Sequence, residues 1–209
     1  MTTGFVLEHF GVGVAATTGV LAARGKQVDL FGVIVLAMVT AFGGGTLRDL
    51  ILGDYPVFWA RDPHYVYTAS VAAVVTFFLA RTHEIHLGLL QFADAFALAF
   101  FTVVGLEKGL AAGTAAAIAV MLGVITGVAG GILRDLLLNE IPLVFRQDIY
   151  LYATAAFFGA LVYLGLRAAQ CDRPVTMITA VGAVLVLRLA GIRWRLTLPV
   201  FRPKESSHS

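Results

Sequence analysis

Two stretches of this chain, residues 30–47 and 109–133, hold no charged side chain and are almost wholly apolar. Crossing roughly 30 Å of hydrocarbon takes about 20 such residues in a helix. An α-helix also satisfies its own backbone N–H and C=O groups inside lipid, where water cannot. The rest of the chain has the same character. Across 209 residues, 59% are hydrophobic and 13% charged, against about 25% charged in an ordinary soluble domain. That balance excludes a disordered chain, a collagen repeat, a secreted disulfide scaffold and a water-soluble enzyme. A net charge of +2 is too small for a nucleic-acid footprint. The lone Cys171 cannot form an internal disulfide and reads as a packing residue.

Apolar runs lie at residues 5–23, 30–52, 65–80, 87–106, 112–138, 149–166 and 175–192. The expected fold is an all-α membrane protein with seven transmembrane helices. Lys and Arg set the expected orientation. Arg24, Lys26, Arg81, Arg146, Arg193, Arg195, Arg202 and Lys204 fall on one side, and Arg61, Lys108, Arg167 and Arg173 on the other. The excess places the C-terminus in the cytoplasm and the N-terminus outside. Arg48, Arg134 and Arg188 are left out of the tally as residues at or within helix ends.

An internal repeat narrows the architecture further. FGGGTLRDLILGDYPVF at 42–58 returns as VAGGILRDLLLNEIPLV at 128–144, an offset of 86. The same offset pairs Thr40 with Thr126, Gly19 with Gly105 and Glu8 with Asp94. A one-residue gap then pairs Tyr65 with Tyr150 and Tyr67 with Tyr152. Each copy holds three spans, an odd number, so the second copy enters the membrane upside down. Inverted repeats of this kind build many permeation pathways. The expected divisions are 1–86 and 87–170 for the two repeats, 171–192 for the seventh span and 193–209 for a basic cytoplasmic tail on anionic headgroups.

Gly43, Gly44 and Gly45 lie inside the second span, and Gly127, Gly130 and Gly131 inside the fifth. Each costs a helix about 1 kcal/mol relative to Ala, so the cluster predicts a kinked or unwound segment. Freed carbonyls at membrane depth persist where they line a cavity and can replace a cation's hydration shell. The competing reading is close helix packing, since Gly123, Gly127 and Gly131 have small-xxx-small spacing. Thr40 and Thr126, one turn earlier, either face an ion or back-bond to their own helix.

Arg48-Asp49 and Arg134-Asp135 follow the glycines. Neighbours at i and i+1 do not face each other on a helix, so neither pair is expected to be a simple mutual salt bridge. The expected partners are Glu8 for Arg48 and Asp94 for Arg134, both 40 residues apart. Ionisable groups within a membrane usually mark a pathway or gate; the alternative is that these arginines snorkel. Pro56 and Pro142 are expected to end the helices and turn the chain. Trp59 and Tyr55, Tyr65, Tyr67, Tyr150 and Tyr152 read as interfacial belts. His83, Glu84 and His86 supply too few ligands for a metal, and Gly11, Gly13 and Ala16 mimic a dinucleotide turn without the preceding strand.

At the doubled G-G-x-x-R-D units, each with a later proline and three spans, and with a seventh span beyond, the sequence resembles the prokaryotic branch of the trimeric intracellular cation (TRIC) channel family. The resemblance runs to about Ile192. It implies a homotrimer with a pore in every protomer and passive conduction of monovalent cations, chiefly potassium, past Gly43, Gly44, Gly45, Gly130 and Gly131. It implies no cofactor beyond permeant K+ or Na+, leaves room for bound lipid, and places the protein in a bacterial or archaeal plasma membrane. The Lys-Glu-Val signature of animal members is missing, so their lipid and calcium regulation does not carry over. The same bacterial domain is associated with glycine transport. A secondary transporter of a small amino acid is therefore the alternative, and a purely structural oligomer the third reading.

Overall fold

The computed structural model describes residues 3–82, 87–146 and 151–194. The His83–His86 segment, Tyr150 and the basic tail from residue 195 lie outside the described residues. Eight α-helices follow in order: α1 Thr3–Ala23, α2 Leu30–Leu52, α3 Phe58–Arg61, α4 His64–Thr82, α5 Leu87–Ala111, α6 Ala116–Leu137, α7 Tyr152–Ala168 and α8 Arg173–Trp194. A 3-10 turn, Leu143–Phe145, precedes α7. Among the described residues there is no strand. α3 is a single turn of 4 residues. α2, α4, α5, α6 and α8 are long and apolar enough to cross a membrane, and α7 is a shorter apolar helix.

Local sequence sets the ends of α2 and α6. Asp29 caps α2 by accepting the Gly32 N–H at 2.8 Å, satisfying one orphan donor of the first turn. α2 stops at Gly53, whose φ of 66° is left-handed and costs glycine nothing. Asn139, its equivalent 86 residues on, has φ 55° after α6, and asparagine is the usual substitute at such a cap. The next N–H returns to the helix in both copies, Asp54 to the Asp49 carbonyl and Glu140 to the Asp135 carbonyl, each at 2.9 Å.

α2 and α6 run unbroken through their glycines, so the expected unwinding does not occur. Lipid offers no alternative partner for a freed backbone group, and close packing gives these glycines another role. A methyl carbon at Gly44 would lie 2.0 Å from the Thr126 carbonyl oxygen, and one at Gly130 would lie 2.2 Å from the Thr40 carbonyl oxygen. The two helices therefore cross backbone to backbone, in opposite directions, through a contact that the 86-residue offset maps onto itself. Gly43 meets Leu133 of the opposite helix, and Gly127 meets the Thr102 hydroxyl of α5. Thr40 and Thr126 donate their hydroxyls to the Leu36 and Leu122 carbonyls at 2.7 and 2.6 Å, so both back-bond to their own helices.

α1 packs on α2 and α4 in the first half; α5 packs on α6, α7 and α8 in the second. Small side chains fill the seams: Ala15, Ala16, Ala37, Ala69 and Ala73 in one half, Ala99, Ala155 and Ala156 in the other. Small residues are what lets helices approach when lipid supplies no hydrophobic drive between them. Large apolar residues such as Phe31, Val71, Ile178 and Val186 face outward, as a chain solvated by lipid requires.

The structure also shifts one register. Tyr65, Ala69 and Ala73 of α4 are buried, and so are Tyr152, Ala156 and Ala160 of α7. The α4–α7 correspondence is thus Tyr65 with Tyr152, and the sequence pairing of Tyr67 with Tyr152 is superseded. Tyr67 is exposed. Helical burial recurs every three to four residues, and that constraint overrides a match of two tyrosines.

Candidate functional site

Each G-G-x-x-R-D unit carries its charges to one end of the α2–α6 crossing. At the α2 end, Arg48 is buried and donates from Nε (2.8 Å) and Nη2 (2.6 Å) to Asp49 Oδ1. The expectation that adjacent residues would not pair is therefore overturned. The physical reason is reach: a guanidinium on a long stem can curl back to a carboxylate whose other oxygen is held still. Asp49 Oδ2 accepts the Phe58 N–H at 2.8 Å, latching α3 under the end of α2. The Phe58 ring covers Gly45, where a methyl carbon would sit 2.5 Å from Cε1, and lies 5.7 Å from the Arg48 guanidinium carbon and 5.8 Å from Lys108 Nζ.

Glu8 does not bond Arg48. It accepts a short hydrogen bond from the Tyr65 hydroxyl, and Tyr65 is itself stacked on His9 with centroids 4.3 Å apart. A cavity of about 20 Å³ opens here, lined by Glu8, Gly45, Arg48, Phe58, Tyr65 and Lys108. That is room for one water.

The α6 end repeats the plan in a tighter form. Arg134 Nε donates to Asp135 Oδ1 at 2.8 Å, and Nη1 donates to Asp94 Oδ1 at 3.1 Å. The Asp94–Arg134 pairing thus forms as the sequence implied. Asp135 Oδ2 accepts the Leu143 N–H at 2.9 Å, the same latch as in the first copy. Gly131 is the meeting point: a methyl carbon there would lie 3.2 Å from the Tyr152 hydroxyl, 3.7 Å from Asp94 Oδ1 and 3.8 Å from Arg134 Nη2. Arg188 of α8 enters from the side, its guanidinium carbon 4.7 Å from the centre of the Tyr152 ring. Arg134 and Arg188 are both 0% exposed.

Neither Arg48 nor Arg134 snorkels; both are buried beside carboxylates. Each end holds two cationic and two acidic side chains, Arg48 and Lys108 with Glu8 and Asp49, then Arg134 and Arg188 with Asp94 and Asp135. Buried charge is tolerated only when matched in this way. Sequence reading missed three members. Phe58 carried no signal because it closes the repeated stretch opposite a valine, Val144, and Lys108 carried none because it lies outside that stretch. Arg188 did carry one, as a lone cation inside an apolar run, and its assignment to a helix end hid it. Tyr65 and Tyr152 are not belt residues but part of the clusters.

On the far surfaces, exposed charges tie the loops. Arg61 pairs with Asp54 at 2.6 Å. Glu140, its counterpart 86 residues on, takes Arg146 at 3.1 Å and a short contact from Lys26.

A multi-pass helical bundle with two matched charged ends around one helix crossing is a membrane protein of the TRIC fold. The family model described as "Glycine transporter" matches this chain twice, over residues 5–81 and 91–168. The chain belongs to that family, which takes in the UPF0126 membrane proteins and the TRIC channels. The UPF0126 inner membrane protein YadS of Escherichia coli is 42% identical over 203 residues, 96% of this chain and 97% of its own. The TRIC trimeric intracellular cation channel orthologue from Rhodobacter sphaeroides is 39% identical, with a TM-score of 0.88 over 94% of this chain and 100% of that one. Another TRIC cation channel superposes with a TM-score of 0.87 at 30% identity, over 98% of this chain and 100% of that one.

Proposed function

We propose that this protein is a cation channel of a bacterial inner membrane, assembled as a homotrimer with a pathway in each protomer, and that potassium is its principal ion. Seven of its helices span the bilayer as two inverted three-helix repeats, α1–α2–α4 and α5–α6–α7, with α8 outside them. The N-terminus faces outward and the C-terminus the cytoplasm.

The observation that carries this reading is the pair of charge-balanced clusters at opposite ends of the α2–α6 crossing, in a chain that superposes on TRIC cation channels along almost its whole length. The reciprocal Gly44–Thr126 and Gly130–Thr40 contacts and the two tandem matches of one family model support the inverted repeat. Gly43, Gly44, Gly45, Gly127, Gly130 and Gly131 act here by letting helices touch, leaving Glu8 and Asp94 as the carboxylates that bias the path towards cations. Bound lipid belongs on the outward apolar faces.

The carrier reading rests on the family model's description. A carrier of that type holds a substrate carboxylate at the N-terminus of a broken half-helix, and both α2 and α6 are unbroken. Planar-bilayer recording of the purified protein in a potassium gradient separates the two. Discrete openings that reverse near the potassium equilibrium potential are expected. Saturable glycine exchange without unitary current would replace the channel by a carrier.

A further inference from the structure

Asp94 is buried, and its Oδ2 has no hydrogen-bond partner among the described residues, while Oδ1 is held by Arg134. An uncompensated carboxylate oxygen in a low-dielectric site is costly unless a cation or donor faces it. Two features make this oxygen more than a packing defect. It belongs to the acid that the repeat places opposite Glu8, which borders the small cavity at the other end. A second buried cation that the repeat does not supply lies within electrostatic range of it: Arg188 comes from α8, the helix with no counterpart in the first half, and is fully buried against the ring of Tyr152.

We propose that Asp94 is a monovalent-cation subsite and that the guanidinium of Arg188 is its tethered competitor, closing the α6 end of the pathway in this structure. The inference rests on the channel reading above. A permeating cation reaches Asp94 only when the Arg188 head withdraws from the Tyr152 face. The Tyr152 ring is one of the contacts that hold the guanidinium in place, and opening requires that contact to be given up.

The test is the conductance of Arg188→Met and Arg188→Ala beside wild type, in bilayers with potassium from 10 mM upward (on the order of decades of concentration, so that saturation is read). Methionine keeps the length of the stem but removes one of the two cations matched to Asp94 and Asp135, so a loss of stability accompanies the change in current. With Arg188→Met, open probability rises on the order of ten-fold and half-saturation moves to lower potassium, because Asp94 has lost its competitor. Asp94→Asn on that background abolishes the gain. Free guanidinium closes Arg188→Ala again, and the same concentration leaves Asp94→Asn/Arg188→Ala unaffected. A purely structural Arg188 gives no such rescue.

If wild type carries no cation current, the channel reading fails. If wild type conducts and folded Arg188→Met is indistinguishable from it in open probability and saturation, this inference fails alone. Should both Arg188 variants fail to fold, potassium-dependent thermal stabilisation of native protein decides: its survival in Asp94→Asn overturns the subsite, and its loss there supports it.

Discussion

The two charged ends of the α2–α6 crossing come from one repeated motif, yet they are not equivalent. At the α2 end, Arg48 has one carboxylate, Asp49, and the second acid, Glu8, turns to Tyr65 across a water-sized cavity. At the α6 end, Arg134 bridges two carboxylates, and Arg188 of α8 lies over the Tyr152 ring. The duplicated motif fixes the latch, Arg to Asp and Asp to the next turn's N–H, while α8, outside the repeat, brings a second buried arginine to one end alone among the described residues. One helix without a twin is enough to give a symmetric frame two different ends.

The strongest attack on this comparison is at the crossing both ends share. Gly44→Val and Gly130→Val each drive a side chain into a carbonyl oxygen about 2 Å away, so both are expected to lose the folded protein, at a cost of about 3 kcal/mol or more. Detergent-stable yield and thermal melting measure it. A strong loss at one glycine with a mild loss at the other would show that the contact is not reciprocal.

Next in size are the latches. Asp49→Asn strips Arg48 of its carboxylate and is expected to cost about 3–5 kcal/mol, the usual penalty for a buried charge left unpaired. Asp135→Asn is expected to cost less, because Arg134 keeps Asp94. Equal losses in thermal melts would mean that Asp94 does not share the charge of Arg134.

Smaller again is Tyr65→Phe, which removes one donor to Glu8 and is expected to destabilise by about 1–2 kcal/mol while altering cation current through the freed acid. Unchanged current would remove Glu8 from the pathway.

The smallest effect is at the loops. Lys26 holds the Glu140 carboxyl below the usual carboxylate range, with Arg146 adding to it. A depressed carboxyl contributes stability that is present above its unfolded pKa and fades as pH falls through the folded value. Lys26→Ala is therefore expected to lower the melting temperature slightly at neutral pH, where the Glu140 carboxylate is ionised, and to leave it unchanged in acid below the folded value. An equal drop in acid would contradict the pairing.

Much of the architecture was legible in the residues themselves. The places of the long apolar helices and the Asp94–Arg134 pair follow from the chain itself: apolar length, and an acid 40 residues from its cation. Where the reading failed, the missing information was three-dimensional. The glycine clusters were expected to kink or unwind α2 and α6, and no unwinding occurs, because propensity counts the cost of glycine in an isolated helix and not the close approach of another backbone. Two tyrosines suggested the wrong register between α4 and α7, because a pair of matching letters carries less constraint than a buried helical face.

By itself the sequence determined that this chain spans a membrane, that it is built of two related halves, and that each half places an arginine and acids at a helix end. Apolar length and repetition are properties of the chain and need no fold to be read. Only the tertiary structure decided which acid faces which cation, that Phe58 and Lys108 border one end, and that Arg188 joins the other. Those are contacts between helices distant in sequence, and charge pairing in a buried site depends on ångström distances that no spacing along the chain encodes.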